Sequence, residues 1–397
     1  MNLEKKRRTI IYEISLIIFL AYYILIVNST FKIFLPKLLI RVIQLTSYLG
    51  FALLIITDRN NIKKWCMKCI LLVIGITINY FTREIKIFEL ILLVLASQNI
   101  EFEKIAKIAF YEIIILIAIV IISALLKIIP NYVFYRENDG VYRYALGFVY
   151  VSQLPTLLLE LIFLRIYLNE IKNKDSNFWE YFVYLFMLFI VYKITNLRNL
   201  LMVGIIFIII SIFIKKLKWV KINNSVGTIF KYIFLICFIF SFILTKNYTI
   251  YSKEYQKLDK ILTGRLRISN ELINSYDVKL FGNKIEMYGS SSIKYGGINS
   301  EDYFYIDSLY LQLLYRDGII ISIIFLIMYY YVMKKCIERN DEIGIIFAIW
   351  FFIVAVYSLI GDNFLSVAFN IPILAIYTIK NKKEMKQDKK NEEKFNS

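Results

Sequence analysis

The chain has 397 residues, 59% of them hydrophobic, with a mean hydropathy of +0.60 and a formal net charge of +17. That much apolar surface excludes a soluble globular protein and implies a polytopic membrane protein whose charge is concentrated in the connections between spans. The sequence has no histidine and four cysteines, Cys66, Cys69, Cys237 and Cys336. This excludes histidine acid–base chemistry and histidine metal ligation, and the lone Cys66-x-x-Cys69 lacks a second pair to complete a zinc site. No metal and no cofactor are expected, and the basic balance points to cytoplasmic loops and anionic lipid rather than nucleic acid.

Taken in order, Lys5, Lys6, Arg7 and Arg8 precede an apolar run from Ile10 to Val27, which reads as a retained first helix starting in the cytoplasm. A second span covers 36–56, followed by a basic connection holding Arg59, Lys63, Lys64 and Lys68. Two apolar pieces, 69–82 and 87–99, are broken by Arg83, Glu84 and Lys86. Each is marginal for a hydrocarbon core of ~30 Å, so they read either as a tight hairpin of tilted helices or as a re-entrant pair. The span 106–129 leads outward to PNYVFYRENDGVYRYALGF, and 149–168 returns to Lys172 and Lys174. Phe178–Thr195 goes out, NLRN turns at the outer face, and Leu200–Ile214 comes back to Lys215, Lys216, Lys218 and Lys221. Thr228–Thr245 then exits into a long polar segment. After it come 318–333, a basic turn with Lys334, Lys335 and Arg339, then 343–360, the outer turn GDN, and 364–379.

The predicted architecture is an all-α integral membrane protein of about twelve transmembrane helices with one large extracytoplasmic loop. Helices 1–9 lie within 1–245, the loop is 246–317, helices 10–12 lie within 318–380, and 381–397 is a charged cytoplasmic tail. Every short loop assigned to the cytoplasm is basic, which supports this register and places both termini inside. A loop of that size between two spans is uncommon unless it is functional.

With histidine absent, chemistry falls to the polar groups at the expected outer face: Arg143, Arg198, Arg265, Arg267, Asp302, Asp307, Arg316 and Asp362, with Arg136 and Glu137 beside the first. Arginine keeps its charge and presents a planar fork of donors, which suits phosphate. A lone interfacial arginine more often serves lipid head groups, but Arg198 stands in a very short turn between apolar runs, where a cation tends to find a partner. In the loop, Leu258, Ile261, Leu262, Leu266, Leu272 and Ile273 recur near helical spacing beside Arg265. That pattern fits a helix aiming Arg265 at a pocket, and equally an interfacial amphipathic helix. In YFYIDSLYLQLLYRDG, Asp307, Tyr310, Leu311 and Leu314 are expected on one face of a helix continuing into the next span. An aspartate there serves to orient or deprotonate a sugar hydroxyl, or to cap the helix or pair with an arginine. Arg41, Glu89, Glu112, Glu160 and Lys193 fall at membrane depth and are expected to face the bundle interior, as ion pairs or as a proton or substrate path.

Four segments, in order, resemble the Wzy-type polysaccharide repeat-unit polymerases of capsule and O-antigen assembly. They are RYALGF with Arg143, KITNLRNLL with Arg198, LTGRLRI followed by LFG with Arg265, and IDSLYLQLLYRDGII with Asp307, Tyr310 and Gly318. Ser152 and Gln153 stand where many relatives carry a histidine, and Ser308 replaces a usual asparagine.

The resemblance implies a metal-independent glycosyltransferase of the GT-C type in the bacterial plasma membrane. It would transfer a growing undecaprenyl-pyrophosphate-linked glycan onto a lipid-linked repeat unit at the outer leaflet. With it, Arg198, Arg265 and Asp307 are expected as catalytic residues and Arg143 and Tyr310 as substrate-binding ones, joined by the outer-face arginines Arg267 and Arg316. It also implies a flippase and a chain-length regulator as partners. The rival readings are a lipid-linked oligosaccharide flippase or exporter, which should not need such a loop, and an O-antigen ligase-like transferase, which relies on the missing histidine.

Overall fold

A computed structural model of the protein describes residues 3–58, 62–136, 140–172, 178–217, 224–339, 341–380 and 384. The expected basic residues Arg59, Lys174, Lys218 and Lys221, the candidate Glu137, and the tail 381–397 apart from Glu384 lie outside the described residues. The chain divides into two compact units. The first comprises Met1–Leu72, Glu89–Trp219 and Ser366–Thr378; the second comprises Val73–Phe88, Val220–Leu365 and Ile379–Ser397.

In the first unit, α1 (Leu3–Ala21) widens into a π-helical turn, Tyr22–Val27, and packs against α2 (Lys37–Thr57) and α5 (Phe102–Leu125). α6 (Gln153–Ile171) packs on α5, α7 (Phe178–Thr195) and α8 (Arg198–Leu217). Hydroxyls within these helices are absorbed by carbonyls one turn back, as with Ser15 on Ile11 and Ser211 on Phe207, so the polar side chains do not break the apolar runs. α3 (Ile62–Thr82) and α4 (Lys86–Ala96) run across the boundaries of the two units in sequence. Between α5 and α6 the chain forms an antiparallel hairpin, β1 (Val133–Arg136) with β2 (Val141–Tyr144), pairing Phe134 with Arg143.

In the second unit, α9 (Asn224–Lys246), α14 (Ile319–Arg339) and α15 (Glu342–Tyr357) pack together through Phe234, Phe325, Tyr329 and Phe351. Between α9 and α14 lie α10 (Lys253–Ile261), α11 (Arg265–Ser275), α12 (Ser290–Gly296) and a single turn α13 (Leu309–Leu311) that opens into a π-helical turn, Gln312–Asp317. This segment has its own core, in which Ile268, Leu272, Ile285, Ile306, Leu311 and Tyr315 are buried together.

The protein is thus an all-α, multi-pass membrane protein apart from one short hairpin. Among the described residues, α1 with its π turn, α2, α3, α5, α8, α9 and α14 are long and apolar enough to cross a membrane. Four sequence expectations need correction. The piece 69–82 is the last two thirds of the 21-residue α3, so Lys63, Lys64 and Lys68 are helical rather than part of a loop. Its partner α4 has only 11 residues. The expected span 364–379 is not an α-helix but three 3-10 turns, Asn363–Leu365, Val367–Phe369 and Ile371–Tyr377. Pro372 has no N–H to give an α-helical ladder, and Asn370, two residues before it, leaves the helical region with φ −149° and ψ 53°. Finally, the helix expected around Asp307 starts only at Leu309 and does not run into α14, because Gly318 with φ 99° separates them.

Candidate functional site

The site is assembled in the second unit from four stretches of chain. α10 ends at Ile261 and is followed by Thr263 and Gly264, which have φ of 58° and 82°, and this turn re-aims the chain so that Arg265 opens α11. The Asp259 carboxylate accepts from the Arg267 N–H at 3.0 Å and so covers an otherwise unpaired donor of the first turn of α11. Thus the amphipathic run 258–273 is two helices, and the break between them positions Arg265.

Asp307 follows an extended stretch that is held by a bridge between Tyr288 and Phe304. Arg265 Nε donates to Asp307 Oδ2 at 2.7 Å, and the two side chains keep 32% and 23% of their exposure. This pair, 42 positions apart in sequence, is the partly open end of the site and lies within electrostatic reach of Asp362.

Behind it lies Asp362, in the turn after α15. Its Oδ2 accepts from the Tyr305 hydroxyl at 2.8 Å and from Gln312 Nε2 at 3.1 Å, and Lys86 Nζ lies 3.5 Å away. Gln312 Nε2 also donates to the Ile306 carbonyl at 2.5 Å, while its Oε1 accepts from Arg316 at 2.5 Å. Arg316 completes the closed end by a bidentate pair with Asp317, both bonds at 2.9 Å, and is only 3% exposed.

The closed end requires close backbone approach. The Asn283 N–H donates to the Arg316 carbonyl at 2.9 Å, and the N–H groups of Ile319 and Ile320 donate to Lys279 and Leu280. A Cβ at Gly282 would sit 1.9 Å from the Arg316 carbonyl oxygen, and one at Gly318 would sit 2.5 Å from the Leu280 carbonyl oxygen. Both glycines have positive φ, 82° and 99°, so neither space nor backbone admits a side chain.

The two aspartates have opposite electrostatics. Burial raises Asp307 above the ordinary carboxylate value; Arg265 pulls it down in part, and Asp362 pushes it up again. Burial alone would raise Asp362 too, but Lys86, the hydrogen bonds from Tyr305 and Gln312, and Arg316 together hold it below the ordinary value. Tyr305 is raised well above its ordinary value, first by burial and then by Asp362, so its hydroxyl remains a donor. Two neighbouring carboxylates driven apart in this way separate a proton acceptor from a fixed negative charge.

Of the residues expected from sequence, the structure therefore joins Arg265 and Asp307 directly and places Arg316 in the neighbouring hydrogen-bond network around Gln312 and Asp362. Tyr310 is in the core, its hydroxyl donating to the Ala355 carbonyl at 2.7 Å. Arg267 is exposed on α11, and Asp302 is exposed at the end of a 3-10 turn. Arg143 and Arg198 belong to the first unit. Arg143 lies on β2 with its Nε buried and without a hydrogen bond, and Arg198 is exposed as the first residue of α8. Arg136, the expected neighbour of Arg143, donates to Asn196 at 3.2 Å.

Sequence reasoning missed the part played by Lys86, Tyr305, Gln312 and Asp317. The one sequence signal for Lys86 was its interruption of an apolar stretch. Among the described residues, no group of three or more histidine, cysteine, aspartate or glutamate side chains is placed to hold a metal ion. No family model, no curated protein and no solved structure matches the chain.

Proposed function

We propose that the protein is a lipid-linked repeat-unit polymerase, a metal-independent glycosyltransferase that extends a glycan carried on undecaprenyl pyrophosphate. The observation that carries this reading is the partly open Arg265–Asp307 pair, set over an Asp362 carboxylate that stays ionised. In the proposed reaction, an acceptor sugar hydroxyl attacks the anomeric carbon of the donor glycan. The new C–O bond forms as the anomeric C–O bond to phosphate breaks, and the lipid pyrophosphate leaves with the bonding pair. Asp307 takes the hydroxyl proton, for which its raised affinity suits it. Arg265 donates to the departing phosphate, exchanging one oxyanion partner for another as Asp307 is neutralised. Asp362, Tyr305, Gln312 and Lys86 hold the geometry.

The reading keeps Arg198 as a catalytic candidate and Arg143 and Arg267 as substrate-binding ones, each to be tested by its own alanine substitution. Arg316 and Tyr310 take framework roles in it, since their polar atoms are committed to Asp317, Gln312 and Ala355. It places 246–317 outside a bacterial plasma membrane, with the termini in the cytoplasm and about twelve membrane passes, some of them made by segments other than long α-helices. A flippase and a chain-length regulator would act with it.

One observation favours an exporter instead: Glu160 in α6 is fully buried, and among the described residues its carboxylate has no side-chain partner, only the Ile371 backbone close by. Buried acids of that kind line transport paths. Sizing and locating the lipid-linked glycan in a strain lacking the gene separates the two. Single repeat units at the outer leaflet are the expected result. The same units held at the inner leaflet would replace the polymerase with an exporter.

A further inference from the structure

α10 is a nine-residue helix that buries none of its residues. Its half-covered side carries Tyr255 and Leu258, with Tyr255 edge-on to Tyr248 at 6.1 Å. Its other side presents Lys253, Lys257 and Lys260, spaced i, i+4 and i+7 on one face and all exposed. None of the three lysines has an ion-pair partner among the described residues. Large apolar side chains bracket them in full view of solvent: Ile250 and Tyr251 just before the helix, the latter 96% exposed, and Ile261 at its end, 76% exposed.

We infer that this face of α10 docks on the surface of an anionic phospholipid bilayer. The lysine ammonium groups would meet lipid phosphates, and Tyr251 and Ile261 would enter the interface. Three arguments select the bilayer. α10 is tethered to α9, a helix that qualifies as a membrane span and ends at Lys246. The link from Lys246 to Lys253 cannot exceed about 25 Å even when extended. Hydrogen-bonded turns shorten it further, with Tyr248 N–H on Thr245, Ser252 N–H on Thr249 and the Gln256 side chain on the Ile250 carbonyl. Second, unneutralised lysines between exposed apolar tips match the charge and layering of a head-group region, where tyrosine is the favoured aromatic. Third, Asp259, an acid of the same helix, is turned away to cap α11, which leaves the lysine face cationic. The inference stands whether or not the polymerase reading does.

The test uses the full chain in nanodiscs, with a nitroxide at Ile261→Cys in a background where Cys66, Cys69, Cys237 and Cys336 are alanine. Collisions of the label with a water-soluble nickel complex are expected to fall about fivefold when phosphatidylcholine is replaced by phosphatidylglycerol. The Lys253→Gln, Lys257→Gln, Lys260→Gln variant is expected to lose that difference, as is high salt. A second measurement needs no substitution: amide exchange across 254–262 in the unaltered chain should slow in the anionic discs. Equal accessibility and equal exchange in both lipids would overturn the inference. Protection in detergent that grows with protein concentration would overturn it as well, by assigning the face to a second copy of the chain.

Discussion

Asp307 and Asp362 contribute to stability with opposite pH dependence. The folded protein holds the Asp307 proton more tightly than the unfolded chain, whose carboxylate titrates near 3.8. In the window from 3.8 up to the raised folded value, stability therefore falls as pH rises. Asp362 is held below 3.8 in the fold, so its contribution is complete above 3.8 and is lost as pH falls through the lowered value. Asp307→Asn should remove the first of these slopes, seen as an unfolding temperature that no longer declines with pH across that window. If Asp307 is the proton acceptor, the same variant should lower turnover by about 100-fold or more in a polymer-length assay. Near-normal turnover in the asparagine variant would remove Asp307 from the chemistry. Asp362→Ala leaves Tyr305, Gln312 and Lys86 without their shared acceptor. Breaking a buried ion pair costs about 3–5 kcal/mol, and the partial exposure of Lys86 puts this one at the lower end, roughly 3 kcal/mol, read as a lowered unfolding temperature in detergent. A change below roughly 1 kcal/mol would mean that the network does not hold the site together.

At the scale of elements, the site depends on a backbone strap, 279–283 laid on 315–320, rather than on a rigid helix. Gly282→Ala should therefore be severe although it adds one methyl group: the Cβ meets the Arg316 carbonyl and the residue must hold φ 82°. Faster amide exchange across 279–283 and 312–320 is expected, with α14 and α15 left protected; unchanged exchange in the strap would show that the close approach is not required. The sequence disclosed such elements unevenly, for physical reasons. Apolar runs bounded by polar residues read directly, and the run Phe178–Thr195 is helical over just those residues. The run 364–379 is as apolar but adopts 3-10 turns, because hydrophobic content reports burial and not hydrogen-bond pattern; Pro372 and Asn370 were the only local warnings. Arg265 and Asp307 were each legible as charged residues in a polar loop, and a pairing of Asp307 with some arginine was foreseeable. Which arginine it would be depends on the turn at Thr263 and Gly264, and periodicity alone carried the helix straight through that turn. Lys86 reaches Asp362 from 276 positions away and was marked only by its break in an apolar stretch, and Gln312 is a neutral residue in a helix-like run, so neither carried a local sign of its partner.

For the whole molecule, the side of the membrane on which 246–317 lies decides which leaflet can supply a substrate to Arg265 and Asp307. α9 and α14 both qualify as spans and directly flank the segment, so its ends emerge on one side. α14 ends in Lys334, Lys335 and Arg339, and since positive residues beside a short turn favour the cytoplasm, its start at Ile319 is expected outside. The lysines of the segment itself do not oppose this, because long connections cross largely regardless of charge. A cysteine at Ser291, in α12, should therefore react with a membrane-impermeant maleimide in intact cells when the native cysteines are removed, whereas one at Glu338 should react only after lysis. The reverse pattern would put Arg265 and Asp307 in the cytoplasm. An acid–base pair there would meet lipid-linked sugars before their export, and the polymerase reading would give way to a reaction that builds or loads the repeat unit on the inner leaflet.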